Sequence, residues 1–177
     1  MQDVVLIDSQ AALEQYCERL SRAKAIAVDT EFLRVYTFFA KPGLFQLSDG
    51  EQIALVDPLA ISDWRSFAAI FASPDIVKVL HACDEDIELL YHFLGIEPQA
   101  VFDTQFAAAL VGYEFSLSYQ NIVKTILDVE IDKGHSRSDW LQRPLSAEQL
   151  RYAADDVRYL LPIYDLLNAK LVAQEKR

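Results

Sequence analysis

The chain is poor in basic residues and in cysteine, and each shortage excludes a class of protein. Its 16 lysines and arginines stand against 27 aspartates and glutamates, so the formal net charge is −11. This balance excludes a nucleic-acid clamp that works by bulk positive charge. With only Cys17 and Cys83 present, neither a disulfide framework nor a four-cysteine zinc site can form, and a reducing, cytoplasmic setting fits best.

Long apolar runs and glycine-rich phosphate loops are also missing. No apolar run approaches the roughly 18 residues of a membrane-spanning helix, and the N-terminus lacks a signal-peptide pattern, so we expect no membrane association. Neither G-x-G-x-x-G nor G-x-x-x-x-G-K occurs, so we expect no nucleotide cofactor of those classes. Hydrophobic residues make up 52% of the chain and charged residues 24%, which indicates one globular domain over residues 1–177.

Apolar runs and turn residues predict the order β-α-β-β-β-α-β, followed only by helices. Asp49-Gly50 between two short apolar runs is a strong hairpin signal, so the three central strands should be antiparallel. The strand predicted at 76–80 follows a helical crossover and should therefore be parallel to a neighbour. Together these features predict an α/β fold with a mixed central β-sheet flanked by α-helices.

The last helical region is predicted over residues 146–174. Ser146 and Gln149 have the spacing of a capping box, which starts a helix. Pro162 should kink or split this region, because its ring does not fit a helix interior. Trp140, in the polar stretch before the region, is interpreted as a packing anchor for that stretch.

Asp29 and Glu31 directly follow the apolar run at 25–28, which is typical of a buried central strand. The D-x-E pattern carries no information alone, because it also begins at positions 49, 86 and 128. The pattern at 29–31 differs from the other three because it directly follows a predicted buried strand. The two-residue period of a strand places both of its carboxylates on one face. Two carboxylates about 6–7 Å apart repel each other, and a divalent cation would relieve that repulsion.

Two further acidic elements could join this pair. Asp86 lies where a strand passes into a helix, either as a metal ligand at the end of the strand or as an acid favoured by the helix dipole. Tyr152 and Asp156 are four residues apart on a predicted helix and share a face. The alternative for this second pair is a core tyrosine above a surface aspartate.

Oxygen ligands without cysteine or histidine select Mg²⁺ or Mn²⁺ rather than Zn²⁺. Carboxylates that hold Mg²⁺ together with phosphate oxygens form a phosphoryl-transfer site, and two such ions can assist an in-line displacement. The acidic composition is then no obstacle, because bound cations would carry the positive charge to a phosphate.

Several segments, taken together, resemble the ribonuclease D family over nearly the whole chain. The matching segments are residues 29–34, 43–47, 55–59, 81–90, 101–104, 133–145 and 152–162. The resemblance implies a 3′→5′ exonuclease of the DEDD superfamily on a ribonuclease-H-like fold. It implies that the catalytic and metal-binding acids are Asp29, Glu31, Asp86 and Asp156, and that Tyr152 marks the tyrosine subclass.

The resemblance also implies how these residues act. Two divalent cations, Mg²⁺ or Mn²⁺, are expected. One would be shared among Asp29, Glu31 and Asp156 and prepare the attacking water, and the second, held mainly by Asp29, would stabilise the leaving 3′-oxygen. Asp86 would act largely through coordinated water, and the hydroxyl of Tyr152 would position the nucleophilic water.

Substrate contacts are predicted around these acids. Phe32 and Leu33 could stack on terminal bases or wedge between them, and His81 could reach the terminal ribose or phosphate. The candidate phosphate contacts are Arg34, Lys133 and Arg137, for which ordinary surface charge is the alternative. Asp103 is interpreted as the cap of the next helix and is left out of the metal set.

The expected partner is the 3′ end of single-stranded RNA, with tRNA precursors as the natural class. Ribonuclease D proteins usually continue into helical RNA-binding domains, and the expectation from residues 1–177 is the exonuclease domain alone. Two alternatives remain open: a DNA 3′→5′ exonuclease of the Werner type, and a catalytically silent nucleic-acid-binding module. The four acids and Tyr152 argue against the silent module, but no residue separates RNA from DNA specificity.

Overall fold

A computed structural model of the protein describes residues 2–34, 39–131 and 138–175. A six-stranded sheet forms its centre. The strands are β1 (Asp3–Ile7), β2 (Ala25–Leu33), β3 (Lys41–Ser48), β4 (Gln52–Val56), β5 (Val77–Leu80) and β6 (Val101–Asp103). The helices are α1 (Gln10–Leu20), α2 (Arg65–Ala72), α3 (Asp84–Leu94), α4 (Thr104–Leu110), α5 (Tyr119–Leu127), α6 (Ala147–Arg158) and α7 (Leu160–Ala173). Among these described helices, none combines the length and apolarity needed to cross a membrane.

The sheet is mixed, with the order β1-β4-β3-β2-β5-β6. β3 is antiparallel to both of its neighbours, β2 and β4, while β1–β4, β2–β5 and β5–β6 are parallel pairs. The predicted hairpin and the predicted parallel crossover strand are therefore confirmed. β6 was not predicted, because three residues are too few to show a hydrophobic period.

Helices cover both faces of the sheet, and the alternation of side chains along β2 shows the two layers. Ile26 and Val28 pack into one hydrophobic cluster with residues of α1, α2 and α3. Ala27 faces the opposite way, into a second cluster with residues of α6 and the start of α7. Since side chains alternate along a strand, the residues that continue the Ala27 face are Asp29 and Glu31, so both acids point towards α6.

The capping box that was predicted at the start of α6 is present. The Ser146 hydroxyl accepts from the Gln149 amide at 3.1 Å, and the Gln149 side chain accepts from the Ser146 amide at 3.0 Å. The predicted split is also present, since Tyr159 separates α6 from α7. Pro162 lies three residues further on, and its ring conflicts with the carbonyl of Arg158, the last residue of α6.

A close contact between β3 and the chain that leads into α6 holds that helix on the sheet. Trp140 is 1% exposed, which confirms it as a packing anchor. A Cβ atom on Gly43 would lie 2.6 Å from the Trp140 Cβ, so only glycine permits this approach. The Arg143 guanidinium donates to both oxygens of Asp57 and to the Gly43 carbonyl, each at 2.7 Å. β3, β4 and the entry to α6 are thereby locked together.

Gly43→Ala should destabilise the protein by roughly 1–3 kcal/mol, because the added methyl group overlaps backbone and side-chain atoms of Trp140. Thermal or urea unfolding measures the loss. Lys41→Ala is the control, since Lys41 is an exposed residue of the same strand. A Gly43→Ala protein as stable as Lys41→Ala would show that the contact with Trp140 is not close.

Candidate active site

Three carboxylates meet above the carboxyl end of β2. Asp29 and Glu31 lie on the strand face that meets α6, and Asp156 projects from α6. One ligand oxygen from each of the three lies within 4.8 Å of the other two. A β-bulge between Glu31 and Phe32 interrupts the pairing with β3 immediately after the acids. The spacing of the three oxygens suits the binding of one shared cation.

Asp86 joins the cluster from the first turn of α3. Its side chain is buried, and the Thr30 hydroxyl donates to its Oδ1 atom. The preceding turn is held by Asp103, whose carboxylate accepts from the amides of Ala82 and Cys83 at 3.1 Å each. Asp103 also caps α4 by accepting from the amide of Gln105 at 2.7 Å, so it has the structural role that was predicted for it.

Burial favours protonation of all four acids, and repulsion from other acids of the cluster adds to it at Asp29 and Glu31. Burial raises the pKa of Asp29 well above its ordinary value, with further contributions from Asp86, Asp156 and Glu31. Burial, then Asp156 and Asp86, raise the pKa of Glu31 to about 9. Burial raises the pKa of Asp86 to about 6 and that of Asp156 to about 7. The metal-free cluster therefore stores unfavourable electrostatic energy near neutral pH.

Tyr152 reaches the cluster from the same face of α6 as Asp156. Its hydroxyl donates a hydrogen bond to the Asp156 carboxylate, which partly offsets the rise in the pKa of Asp156. Burial and the neighbouring carboxylates raise the pKa of Tyr152 above its usual range. The phenol therefore stays protonated at neutral pH and can orient a neighbouring group but is a poor base.

Two neutral side chains at the cluster were missed from the sequence. The Gln46 amide group donates to Oδ2 of Asp29 at 3.3 Å from the paired position on β3, and Thr30 donates to Asp86. Gln46 is 0% exposed, and its Oε1 atom has no hydrogen-bond partner among the described residues. A polar residue within the otherwise apolar run of β3 was the signal that could have identified Gln46.

The donor set fits a hard divalent cation. Among described side chains, those that donate to Asp29, Asp86 and Asp156 are the neutral groups of Gln46, Thr30 and Tyr152. The Thr30 backbone also bonds to Asp29 and Asp86. Within the described part of the chain, no ion pair involves these three acids or Glu31. Clustered carboxylate oxygens without a basic partner match the ligands that Mg²⁺ and Mn²⁺ prefer.

The residues predicted to contact substrate occupy different surroundings. Phe32 and His81 line the cleft of the acids, whose volume is about 250 Å³, and Phe32 also packs against the core beneath. Leu33 is half-buried at the end of β2. Arg34 is exposed and forms an ion pair with Glu88 at 2.9 Å. Lys133 and Arg137 lie outside the described residues.

His81 is engaged by the protein on both sides of its ring. Its Nδ1 atom lies 2.9 Å from the Thr104 hydroxyl, and its Nε2 atom lies 2.9 Å from the carbonyl of Leu117. Burial lowers the pKa of His81. The ring therefore links β5, α4 and the approach to α5 at the wall of the cleft.

Comparison with known proteins agrees with this chemistry. A model of the family described as 3′-5′ exonuclease matches residues 4–172. The chain belongs to the 3′-5′ exonuclease family. It is similar to ribonuclease D of Pseudomonas paraeruginosa, with 46% identity over 175 residues, and to ribonuclease D of Escherichia coli, with 45% identity over 169 residues. These matches cover 99% and 96% of this chain but 46% and 44% of the relatives, so the chain spans just under half of their length.

Solved structures of this 3′-5′ exonuclease family share the fold. RNase D of Escherichia coli, described as an exoribonuclease involved in structured RNA processing, matches with a TM-score of 0.94 at 44% identity, over 97% of this chain and 46% of that one. The catalytic core of RRP6 from Trypanosoma brucei matches with a TM-score of 0.92 at 29% identity, over 99% and 49% of the two chains. The ribonuclease-H-like exonuclease fold expected from the resemblance is confirmed.

The raised pKa of Glu31 predicts how the stability of the metal-free protein depends on pH. Folded Glu31 binds its proton more tightly than unfolded Glu31, so its contribution to stability is present below about pH 4 and is lost as the pH rises towards about 9. Glu31→Gln removes this loss. The free energy of unfolding of Glu31→Gln minus that of the wild type should therefore be roughly 1–3 kcal/mol larger at pH 9 than at pH 5.

Urea unfolding of both proteins in excess chelator measures this difference, with Glu51→Gln as the control because Glu51 is an exposed acid in the turn between β3 and β4. Mn²⁺ should raise the stability of the wild type at pH 8 more than that of Glu31→Gln. A constant difference between the two proteins across this pH range would contradict a raised pKa at Glu31.

Proposed function

We propose that the chain is the catalytic domain of a metal-dependent 3′→5′ exoribonuclease. It would hydrolyse RNA from the 3′-hydroxyl end, release 5′-mononucleotides, and act in the processing of tRNA and other stable RNA. The observation that carries this proposal is the convergence of Asp29, Glu31 and Asp156 within 4.8 Å, beside Asp86 and Tyr152. Carboxylates placed to hold divalent cations, with a hydroxyl beside them, suit hydrolysis of a phosphodiester by a metal-activated water.

Two divalent cations, Mg²⁺ or Mn²⁺, are proposed as cofactors. Asp29, Glu31 and Asp156 would hold one of them, and Asp29 would hold most of the second, with Asp86 acting largely through a coordinated water. When bound, the ions would polarise the scissile phosphate and lower the pKa of water. Their charge would also relieve the repulsion that raises the pKa values of these acids.

Tyr152 is proposed to orient the attacking water. Its hydroxyl already lies at Asp156, its ring is held by packing near Trp140, and its proton is retained at neutral pH. Such a group lowers the barrier by restricting the nucleophile to a productive direction. Attack on the phosphorus would then expel the 3′-oxygen of the shortened strand and leave a 5′-monophosphate on the released nucleotide.

Six residues are proposed to hold the RNA. Phe32 and Leu33 would pack against the terminal bases, and His81 would support the terminal ribose or phosphate from the cleft wall. The proposed phosphate contacts are Arg34, Lys133 and Arg137. Arg34 is paired with Glu88 at the surface, so a phosphate would have to compete with that carboxylate for the guanidinium.

Single-stranded RNA 3′ ends are the proposed partner, and tRNA precursors are the proposed natural class. The support is the similarity to proteins named ribonuclease D and to an exoribonuclease of structured RNA processing. A cytoplasmic location is proposed as well, because Cys17 and Cys83 are both free thiols, which is typical of a reducing compartment.

A matched pair of 20-nucleotide RNA and DNA oligonucleotides, labelled at the 5′ end, tests the activity. With Mn²⁺, the RNA should shorten one nucleotide at a time from its 3′-hydroxyl, and the released products should be 5′-monophosphates. Products that carry 2′,3′-cyclic phosphate would refute hydrolysis by water. Faster digestion of the DNA would favour the Werner-type alternative, and no digestion of either oligonucleotide would favour a silent binding module.

Asp156→Asn and Tyr152→Phe should both lose activity, but only Asp156→Asn should also lose affinity for Mn²⁺. Asp156→Asn removes a charge that holds a cation, so Mn²⁺ affinity and turnover should both collapse, the latter by more than about 10²-fold. Tyr152→Phe deletes one hydroxyl, so Mn²⁺ binding and KM should be retained while kcat falls by roughly 10–10³-fold.

Calorimetric titration measures the Mn²⁺ affinity of Asp156→Asn and of Tyr152→Phe, and steady-state RNA digestion measures their kcat and KM. Tyr164→Phe is the control, because it removes a hydroxyl from a tyrosine of α7 whose ring packs on Phe102. A wild-type kcat in Tyr152→Phe would leave Tyr152 a packing residue without a role in the reaction.

A further inference from the structure

Tyr119, the first residue of α5, places its hydroxyl group in the joint between α6 and α7. The hydroxyl donates to the backbone carbonyl of Asp155 at 2.9 Å and accepts from the backbone amide of Tyr159 at 3.3 Å. In an uninterrupted α-helix this carbonyl and this amide, four residues apart, bond directly to each other. The tyrosine of one helix therefore bridges the backbone hydrogen-bond ladder of another.

Such a bridge changes the direction of a helix, because a side chain in the ladder holds the two backbone groups apart. The backbone of Tyr159 departs from helical geometry at this point, with φ −106° and ψ −3°. Pro162 acts on a neighbouring bond, the one that the Arg158 carbonyl would otherwise accept. Two separate features thus shape the joint: Pro162 within α7, and the Tyr119 hydroxyl, which reaches the joint from α5.

The bridge lies beside the acids. Asp156 follows Asp155 directly, and its carboxylate must stay within 4.8 Å of Asp29 and Glu31 to share a cation with them. Tyr119 also lines the cleft of the acids. A small rotation of the last turn of α6 would move Asp156 while leaving Asp29 and Glu31, which lie on the sheet, where they are.

Tyr119 is itself held by elements that do not belong to α6. The Ser118 hydroxyl caps α5, and the preceding Leu117 carbonyl lies 2.9 Å from both the Gln105 side chain and the His81 ring. The Tyr119 ring packs against His81 with 5.7 Å between ring centres. The position of the hydroxyl is thus set in part by His81, which follows β5, and by Gln105 of α4.

We propose that Tyr119 is a positioning residue for Asp156. Its hydroxyl, fixed by α4, α5 and β5, sets the turn of α6 that aims the Asp156 carboxylate at Asp29 and Glu31. The inference deepens the proposed function by adding a residue that acts through Asp156. The measurement of Mn²⁺ affinity that tests the role of Tyr119, however, requires only that the acids bind a divalent cation.

Tyr119→Phe is the test, because phenylalanine keeps the ring and removes only the bridge. The affinity for Mn²⁺, measured by calorimetry, should fall by roughly 10-fold, since misplacing one ligand by a fraction of an ångström weakens a shared site. Turnover should fall by about 10-fold or more with KM for RNA unchanged.

Tyr113→Phe is the control. The Tyr113 hydroxyl accepts a hydrogen bond from Lys170 and so joins the α4–α5 connection to α7 rather than to α6. The Mn²⁺ affinity and turnover of Tyr113→Phe should equal those of the wild type.

A double-mutant cycle shows whether Tyr119 acts through Asp156. If it does, Tyr119→Phe should have little further effect on residual Mn²⁺ affinity in an Asp156→Ala background, because the ligand that it positions is gone. Equal losses in both backgrounds would overturn the inference. So would a Tyr119→Phe protein with wild-type Mn²⁺ affinity, which would mean that Pro162 alone sets the joint.

The outcomes for the two proposals are separable. A wild-type protein that binds Mn²⁺ but digests no RNA would refute the proposed exoribonuclease, and the effect of Tyr119→Phe on Mn²⁺ affinity would still decide the positioning role. An active wild type with an equally active and equally Mn²⁺-binding Tyr119→Phe would refute the positioning role and leave the exoribonuclease intact.

Discussion

The repulsion among four carboxylates in one cleft is the constraint on which the rest of the structure depends. Asp29, Glu31, Asp86 and Asp156 all have raised pKa values because burial disfavours their charged forms, and the neighbouring acids of the cluster add to the rise at Asp29 and Glu31. A protein that holds such a cluster must supply rigid support, since the acids by themselves would move apart. A cation among the oxygens would relieve this repulsion.

The support comes from three directions, and each holds its acid by a different means. The sheet holds Asp29 and Glu31, because β2 is paired with β3 on one side and with β5 on the other. The Asp103 carboxylate holds the turn before α3 and so places Asp86. The entry to α6 is held by the contact of Gly43 with Trp140 and by the ion pair of Arg143 with Asp57. At the other end of α6, the Tyr119 hydroxyl bridges two backbone groups. Most of these groups are far from the acids in sequence.

Neutral hydrogen bonds, rather than salt bridges, accompany the acids. Thr30, Gln46 and Tyr152 donate to Asp86, Asp29 and Asp156, which orients the carboxylates without cancelling their charge. A lysine or arginine at these positions would stabilise the metal-free cluster and compete with a cation for the oxygens. Basic residues instead pair away from the cluster, as Arg143 does with Asp57 and Arg34 with Glu88. Within the described part of the chain, this separation leaves the four acids without a basic partner.

The mixed sheet, the hairpin at Asp49-Gly50, the start of α6 and the face shared by Asp29 and Glu31 could all be predicted from the amino-acid sequence. Each of these follows from local rules: strand alternation, turn chemistry or helix capping. The sequence did not reveal β6, which is too short to show a period. It also did not reveal Gln46, Thr30 and Tyr119, whose roles arise from contacts across the fold. The hydroxyl of Tyr119 contacts Asp155 and Tyr159 across 36 and 40 residues of chain. No local pattern in the sequence indicates such a contact, so the orientation of Asp156 follows from the folded arrangement of α5, α6 and α7.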